Sequence, residues 1–336
     1  MKSEQHGLNI LIVRLSSLGD VVHNMPMVAD LRRHYPDARI DWVVEEAYAP
    51  LVRLNTGVRQ VIPFALRRWR KSPLAPATRA EFRCFRQRLR AVAYDLVFDT
   101  QGLIKSGVVM RMARLAVDGQ RIGLANGTQG SGYESLSRIF HTDSIRVGLY
   151  THAVLRARLV AAGTLGYVAD TPADFGLAAP AVSAAAAGWL PPVPYAVFFH
   201  GTARAAKQWS PAHWIAIGKL VAQRGMPILL PWGSAAEKLA AQYLADNIAG
   251  ALVLPHLPMM DAVLLAQRAA LAIGVDSGLT HIAAAFVRPT IELYCDSPRW
   301  KTEGNWSPCI RNLGDRGKPP AVVEVQAAIA RLLDAV

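Results

Sequence analysis

The segment LIVRLSSLGD, residues 11–20, reads as a strand that ends in a small polar loop and opens into a helix. That order puts Asp20 near a helix start, where a carboxylate can take a proton from an incoming hydroxyl. It also suits Asp20 to a capping role worth about 1 kcal/mol, and the two roles draw on the same lone pairs. In FFHGTARAAKQWS, residues 198–210, a strand is followed by the Thr202 hydroxyl and the Lys207 ammonium, groups that could cradle a diphosphate together with backbone amides. The chain carries neither a Walker A motif nor GxGxxG, so a merely solvated Lys207 is the plain alternative. In AIGVDSGLTHIAAAF, residues 272–286, a strand ends at Asp276, turns through Ser277 and Gly278, and enters an Ala-rich helix bearing Thr280 and His281. Amides at that helix start favour an anion, while Asp276 would repel phosphate and suits sugar hydroxyls. Capping by Asp276 and a buried, satisfied His281 are the alternative. In LPWGSAAEK, residues 230–238, Glu237 could accept two ribose hydroxyls or simply stabilise the first turn of its helix.

These residues follow short apolar runs that alternate with helix-period segments, the pattern of a parallel α/β sheet. Strands are expected at Asn9–Leu15, Ile40–Val44 and Leu96–Asp99, then at Ala196–Phe199, Pro227–Leu230, Leu271–Val275 and Thr290–Tyr294. The Ala/Pro stretch from Ala178 to Pro194 separates the two groups. The expectation is an α/β chain of two Rossmann-like domains, residues 1–180 and 190–336, facing each other across a cleft, with VEVQAAIARLLDAV as a closing amphipathic helix. Ligands of open α/β sheets bind beyond the carboxyl ends of strands, and that is where Asp20, Gln101, Lys105, His200, Lys207 and Asp276 fall.

At 336 residues with 52% hydrophobic and 18% charged residues, disorder is excluded. The longest uncharged stretch, Phe175–Phe199, is broken by Pro180, Pro191, Pro192 and Pro194, so no spanning helix is expected. The apolar run in MKSEQHGLNILIVRL is too short for a signal segment, which points to a cytoplasmic chain. Three cysteines with no CxxC pair argue against a disulfide framework and a zinc site. The formal net charge is +12, and residues 67–90 hold nine basic residues against the single acid Glu81. Half of that run reads as a solvated helical face. The other half, Arg67, Arg68, Arg70 and Lys71 around Trp69, suits capture of phosphate or carboxylate, with Trp69 placed for an interface or a sugar ring. Nucleic acid is the default partner for such a patch, yet no nucleic-acid-binding motif accompanies it, and an anionic saccharide or acidic lipid surface fits as well.

Taken together, VRLSSLGDVVHNMP, DWVVEE, VIPFALRRWRK, FDTQGLIKS, HAVLRAR, PYAVFFHGTARAAKQW, LPWG and GVDSGLTHIAAA resemble, in order, the bacterial heptosyltransferases of lipopolysaccharide inner-core assembly. These are glycosyltransferases of family 9 with the GT-B fold. RRWRK and QGLIKS are most similar to the class that adds the first heptose, rather than to heptosyltransferase II. The resemblance implies inverting transfer of heptose from ADP-L-glycero-D-manno-heptose to a Kdo hydroxyl of Kdo-lipid A, by a protein peripheral on the inner face of the inner membrane. By the same resemblance Asp20 is the catalytic base, with Ser16, Ser17 and Gly19 shaping its loop. Thr202 and Lys207 contact the diphosphate, Glu237 the ribose, Leu257 the adenine and Asp276 the heptose. Ser277, Gly278 and His281 form the phosphate-side turn, while Arg67, Arg68, Arg70, Lys71 and Lys105 bind the acceptor. The chain lacks a DxD-type acidic pair, so neither metal nor cofactor is expected. Two departures stand out. Ala203 replaces a second Thr common in relatives, and Gly123–Ser137 matches them poorly, leaving an expected acceptor-binding Arg unplaced. The rival readings are heptosyltransferase II, another sugar-nucleotide transferase, or a non-catalytic binder of nucleotides or nucleic acid.

Overall fold

A computed structural model of the chain describes residues 7–202 and 204–334. Ala203, the first six residues of the N-terminal run and the last two of the expected closing helix lie outside them. The chain divides into two compact units, Met1–Ala178 and Ala179–Val336.

Unit 1 contains the strands β1 (Asn9–Val13), β2 (Arg39–Glu45), β3 (Val58–Phe64), β4 (Tyr94–Asp99), β5 (Leu115–Leu124) and β6 (Asp143–Ile145). They pair in parallel in the order β3-β2-β1-β4-β5-β6. Unit 2 contains β7 (Ala196–Phe199), β8 (Ile228–Leu230), β9 (Ala251–Val253), β10 (Leu271–Val275), β11 (Thr290–Tyr294) and β12 (Ile310–Gly314). Their order, β12-β11-β10-β7-β8-β9, is the same doubly wound topology repeated. No sequence repeat accompanies it, because the topology asks only for apolar strands and crossover helices in the right order.

Central strands are buried on both faces and therefore read as unbroken apolar runs. Ile10, Leu11, Ile12 and Val13 of β1 and all of Leu271–Val275 in β10 are buried. The strands outside the expected set, β3, β5, β6, β9 and β12, flank the centre of each sheet and carry exposed or half-exposed residues, so most lack the unbroken buried run of a central strand. The expected single helix after Asp20 is two, Leu18–Asn24 and Pro26–His34, because Pro26 has no N–H to continue the first and starts the second at its first position. The helix Val322–Leu333 buries Val325, Ala328, Ile329 and Leu332 in the core of unit 2. No helix among the described residues is long and apolar enough to cross a membrane.

In each sheet the order reverses once, between β1 and β4 and between β7 and β10. Connections leave these neighbouring strands in opposite directions and open a crevice at their carboxyl ends. Asp20, Lys105, Thr202, Lys207 and Asp276 follow the strands at these two points, whereas residues 67–71, Glu237 and Leu257 follow strands to either side.

Candidate active site

In unit 1, Asp20 is the third residue of the helix that follows β1, and Ser17 is its N-cap. Asp20 Oδ2 accepts hydrogen bonds from the Ser17 backbone N–H at 3.1 Å and the Ser17 hydroxyl at 2.8 Å. Its Oδ1 lies 2.6 Å from Arg14 Nη2 and 3.5 Å from Arg156 Nη2. Asp20 is therefore a capping carboxylate and an ion-pair partner at once, with its side chain 36% exposed. Burial would raise its pKa, but the Arg14 and Arg156 guanidiniums and the Ser17 bonds outweigh burial and hold the carboxyl well below the usual carboxylate range. Arg14 and Arg156 are both buried. Arg14 donates to the Thr100 carbonyl, and Arg156 donates to Thr128 Oγ1 at 3.2 Å. Burial and repulsion from Arg14 bring Arg156 down to about 10 despite Asp20.

Lys105 Nζ donates to Ser16 Oγ at 3.2 Å, and Gln101 holds the same loop through Leu15 N–H at 3.0 Å. The structure thus brings Ser16, Ser17, Gly19, Asp20 and Lys105 together. It adds Arg14 and Arg156, which the sequence reading did not single out. Arg14 could have been suspected as a charge at the end of an apolar strand. Arg156 has no local signal, since its neighbour Arg158 in the same HAVLRAR run is a structural partner of Asp30, at 2.6 and 3.0 Å.

If the two guanidiniums set the ionisation of Asp20, Arg156→Met raises its pKa, because one of the two cations that hold it down is gone while Arg14 and the Ser17 bonds remain. A step that needs ionised Asp20 then weakens as pH falls through the raised pKa. We expect kcat/KM of Arg156→Met to decline toward pH 4 more steeply than that of the wild type. An unchanged acid limb would mean that Arg156 does not tune Asp20.

The basic segment is resolved into different roles. Arg68 is split between two acids, Glu46 at 2.9 Å and Glu81 at 2.6 Å, and Arg67 approaches Glu45. Arg70 and Lys71 are exposed and form no ion pair among the described residues. The expectation of Trp69 at an interface or on a sugar ring is corrected: Trp69 is 7% exposed, donates to Glu81 Oε2 at 2.8 Å and packs edge-on against Phe64, Phe82 and Phe85. Its ring has more apolar surface to bury against these three than its N–H has need of solvent, since Glu81 satisfies that group. The cluster lies beyond the carboxyl end of β3, two strands away from β1.

In unit 2, Asp276 follows β10 directly, and Lys207 ends the short helix Ala205–Lys207 beyond β7. Lys207 Nζ donates to Asp276 Oδ2 at 2.5 Å, so the groups expected to read diphosphate and sugar hold each other. His281 lies 3.0 Å from Asp276 Oδ1 through Nε2 and 2.9 Å from Glu292 Oε1 through Nδ1. Tyr294 Oη and Gly304 N–H donate to Glu292 Oε2, each at 2.9 Å. Burial disfavours a charged imidazole, but Glu292 and Asp276 overcome it and push His281 up to about 10. Asp276, despite burial, is held well below the usual carboxylate range by His281 and Lys207. His281 is therefore an internal imidazolium with both nitrogens committed to carboxylates, which leaves neither N–H for a phosphate. Glu292 and Tyr294, inside an apolar-looking strand, gave no sequence signal.

Ser277 is the N-cap of the helix Gly278–Ala285, and its hydroxyl pairs with Thr280 Oγ1 at 3.0 Å. Thr202 and Glu237 line one cavity of about 760 Å³, together with His200, Gly201, Trp209 and Ser234. Glu237 Oε2 accepts from Gly233 and Ser234 N–H, closing its helix start as the plainer reading had it. A Cβ at Gly201 would stand 2.7 Å from the Glu237 carboxyl, so any side chain there would displace that carboxyl. Lys207, Asp276 and the half-buried Leu257 are not on that cavity's wall. Among the described residues, no three His, Cys, Asp or Glu side chains are grouped to hold a metal ion.

Residues 82–328 match the family model described as glycosyltransferase family 9 (heptosyltransferase). The chain belongs to glycosyltransferase family 9. Its relatives agree with that placement: lipopolysaccharide heptosyltransferase 1 of Pseudomonas aeruginosa is 39% identical over 85% of this chain and 78% of that protein. Among solved structures, E. coli heptosyltransferase WaaC with ADP superposes with a TM-score of 0.81 at 32% identity, covering 97% of this chain and 100% of the other. The same enzyme with ADP-2-deoxy-2-fluoro heptose gives a TM-score of 0.76 at 33% identity, covering 96% and 99%. The two doubly wound units are those of the GT-B fold expected for family 9.

Proposed function

We propose that this family 9 glycosyltransferase moves heptose from ADP-L-glycero-D-manno-heptose to a Kdo hydroxyl of Kdo-lipid A, with inversion. The observation that carries the reading is Asp20, a carboxylate at the switch point of unit 1 kept ionised by two buried arginines. The donor assignment is supported by the solved relatives that carry ADP and an ADP-heptose analogue. The Kdo hydroxyl oxygen attacks the anomeric carbon as the bond from that carbon to the diphosphate oxygen breaks, and ADP leaves. The hydroxyl proton passes to Asp20. Asp20 is a weak base in this setting, so the proton transfers as the new C–O bond forms rather than before it. In unit 2 the diphosphate competes with Asp276 for Lys207, and Thr202 with the free amides at Ser277 and Gly278 adds neutral donors. Asp276, released from Lys207, accepts from a heptose hydroxyl. Glu237 and Leu257 are proposed at the ribose and the adenine.

For the acceptor side we propose Ser16, Ser17 and Lys105 beside Asp20, with Arg67, Arg70 and Lys71 farther out. Arg68 acts there through the scaffold it forms with Glu46 and Glu81. A peripheral position on an anionic, cytoplasmic-side membrane surface is supported by a second feature of unit 1. Ile104 and Val108 on the helix Ile104–Met112 and Leu136 and Ile139 on the turn Ser135–Phe140 are exposed, with Arg111 and Arg138 among them.

The deciding experiment offers ADP-heptose with Kdo-bearing and with already heptosylated acceptors to the purified chain. Transfer to the first alone is expected. Transfer only to the second would reassign the chain to heptosyltransferase II, and transfer to neither removes the reading. With donor charge met by fixed groups, activity is expected to survive EDTA. Complete loss restored by magnesium would refute a metal-free step.

A further inference from the structure

Phe64, Leu66, Trp69 and Phe82 floor a groove of about 600 Å³ in unit 1, between the end of β3 and the helix Pro76–Arg90. The floor is preformed. Trp69 is locked by its bond to Glu81 and by edge contacts to Phe64, Phe82 and Phe85, with ring centroids 5.3, 5.6 and 5.7 Å away. Phe82 is 39% exposed, an uncommon fate for an aromatic residue with apolar neighbours at hand. The rim is cationic: Arg70, Arg79 and Arg83 line the groove and form no ion pair among the described residues. The one acid in this stretch is spent, because Glu81 answers both Arg68 and the Trp69 indole, which pull its carboxyl below the usual range.

An apolar trough with unanswered guanidiniums at its lip complements one chemistry, an acyl chain ending in an anionic head group. A peptide laid there would strand backbone polar groups against aromatic rings, and a flat bilayer surface would leave the concavity empty. The volume falls in the range of sites that enclose a single small ligand. We infer that this groove holds one acyl chain of the acceptor lipid, with Arg70, Arg79 and Arg83 at its anionic end. This assignment rests on the lipid acceptor proposed above.

Two measurements on the full chain separate the groove from that reading. The first compares Kdo-bearing lipid A with the same acceptor after removal of its acyl chains, for the wild type and Phe82→Asp. In the wild type the acylated acceptor is expected to have the lower KM. The variant should raise that KM at least about tenfold, to the level of the deacylated acceptor, while KM for the deacylated acceptor and for ADP-heptose stays within about twofold. Phe82→Leu, which keeps the apolar wall, should restore the preference. Equal KM values for the two acceptors in the wild type, or equal damage to both in the variant, would overturn the assignment. The second measurement needs no transfer. Dodecyl phosphate below its micelle concentration should bind saturably to the wild type and not to Phe82→Asp. Inorganic phosphate, which offers the rim its charge but lacks the chain, should compete only weakly; equal competition by inorganic phosphate would mean an anion site without an acyl groove. If the chain transferred no heptose at all but this binding held, the function would fall and the groove would stand. Binding unchanged in the variant would sink the groove alone. Anionic phospholipid vesicles that abolished the acyl preference by competition would give the site to membrane lipid instead of the acceptor.

Discussion

Asp20→Asn lowers kcat by at least about a hundredfold, the scale of a lost general base, and leaves the KM for ADP-heptose near the wild-type value. Asn is a demanding test because it keeps the shape and one acceptor oxygen. That oxygen can still take the Ser17 N–H and close the helix Leu18–Asn24, so the capping role survives the change. What Asn removes is the proton acceptor and the counter-charge of Arg14 and Arg156. Asp20→Ala removes the cap as well and is expected to lose kcat to a similar degree with a lower melting temperature. The pair of variants therefore splits chemistry from structure. An Asn variant that turns over near the wild-type rate would leave Asp20 as a cap that pins two arginines. A variant that loses donor affinity in step with kcat would point to a collapsed loop. A confirming result would also bear on timing, since a carboxylate whose proton affinity is suppressed by two cations cannot take the hydroxyl proton in a separate step.

How much of this was legible before the structure differs by kind of residue. The central strands were, because burial on both faces forces unbroken apolar runs such as Ile10–Val13 and Leu271–Val275. The places of Asp20, Lys207 and Asp276 at strand ends were too, since in a parallel sheet those ends are where polar loops must lie. The flanking strands β5 and β12 were not, because a half-exposed strand carries mixed residues. Partners brought in by the fold were also hidden. Arg156 reaches Asp20 from a helix 136 positions later in sequence, and Glu292 meets His281 from inside a buried strand where its immediate neighbours are Ile291 and Leu293. Trp69 was misread because its charged neighbours suggested exposure, whereas three phenylalanines from two elements enclose its ring. The error has one physical form. Local sequence registers which groups are polar, but only the fold decides which of them neutralise one another. Lys207 and Asp276, read as separate ligand contacts and found as an ion pair, show the same thing.

That pairing rule makes His281→Leu the most destabilising single change expected in unit 2. The imidazolium bridges Asp276 and Glu292, and all three side chains are nearly or fully buried. Leucine occupies similar space but leaves two buried carboxylates without the imidazolium, and among the described residues Lys207 is the cation that still pairs with them, through Asp276. Breaking a buried ionic group by removing one member costs roughly 3–5 kcal/mol. In a unit of this size the melting temperature should fall by about 10 °C or more. The pH dependence identifies the cause. His281 titrates near 10 in the folded chain and near 6.5 when unfolded, so the folded form binds the extra proton between these values. Its stabilisation is complete below the unfolded value, shrinks as pH rises, and is gone once pH passes the folded value. Followed by thermal melts from pH 6.5 upward, the gap between wild type and His281→Leu should narrow steadily and be small beyond pH 10. Glu292→Gln should bring that narrowing to lower pH, because it removes the charge that does most to hold the proton on His281. A gap that stayed constant across the whole range would mean a neutral imidazole, joined to its neighbours by hydrogen bonds alone, and Asp276 would then have Lys207 as its sole counter-charge.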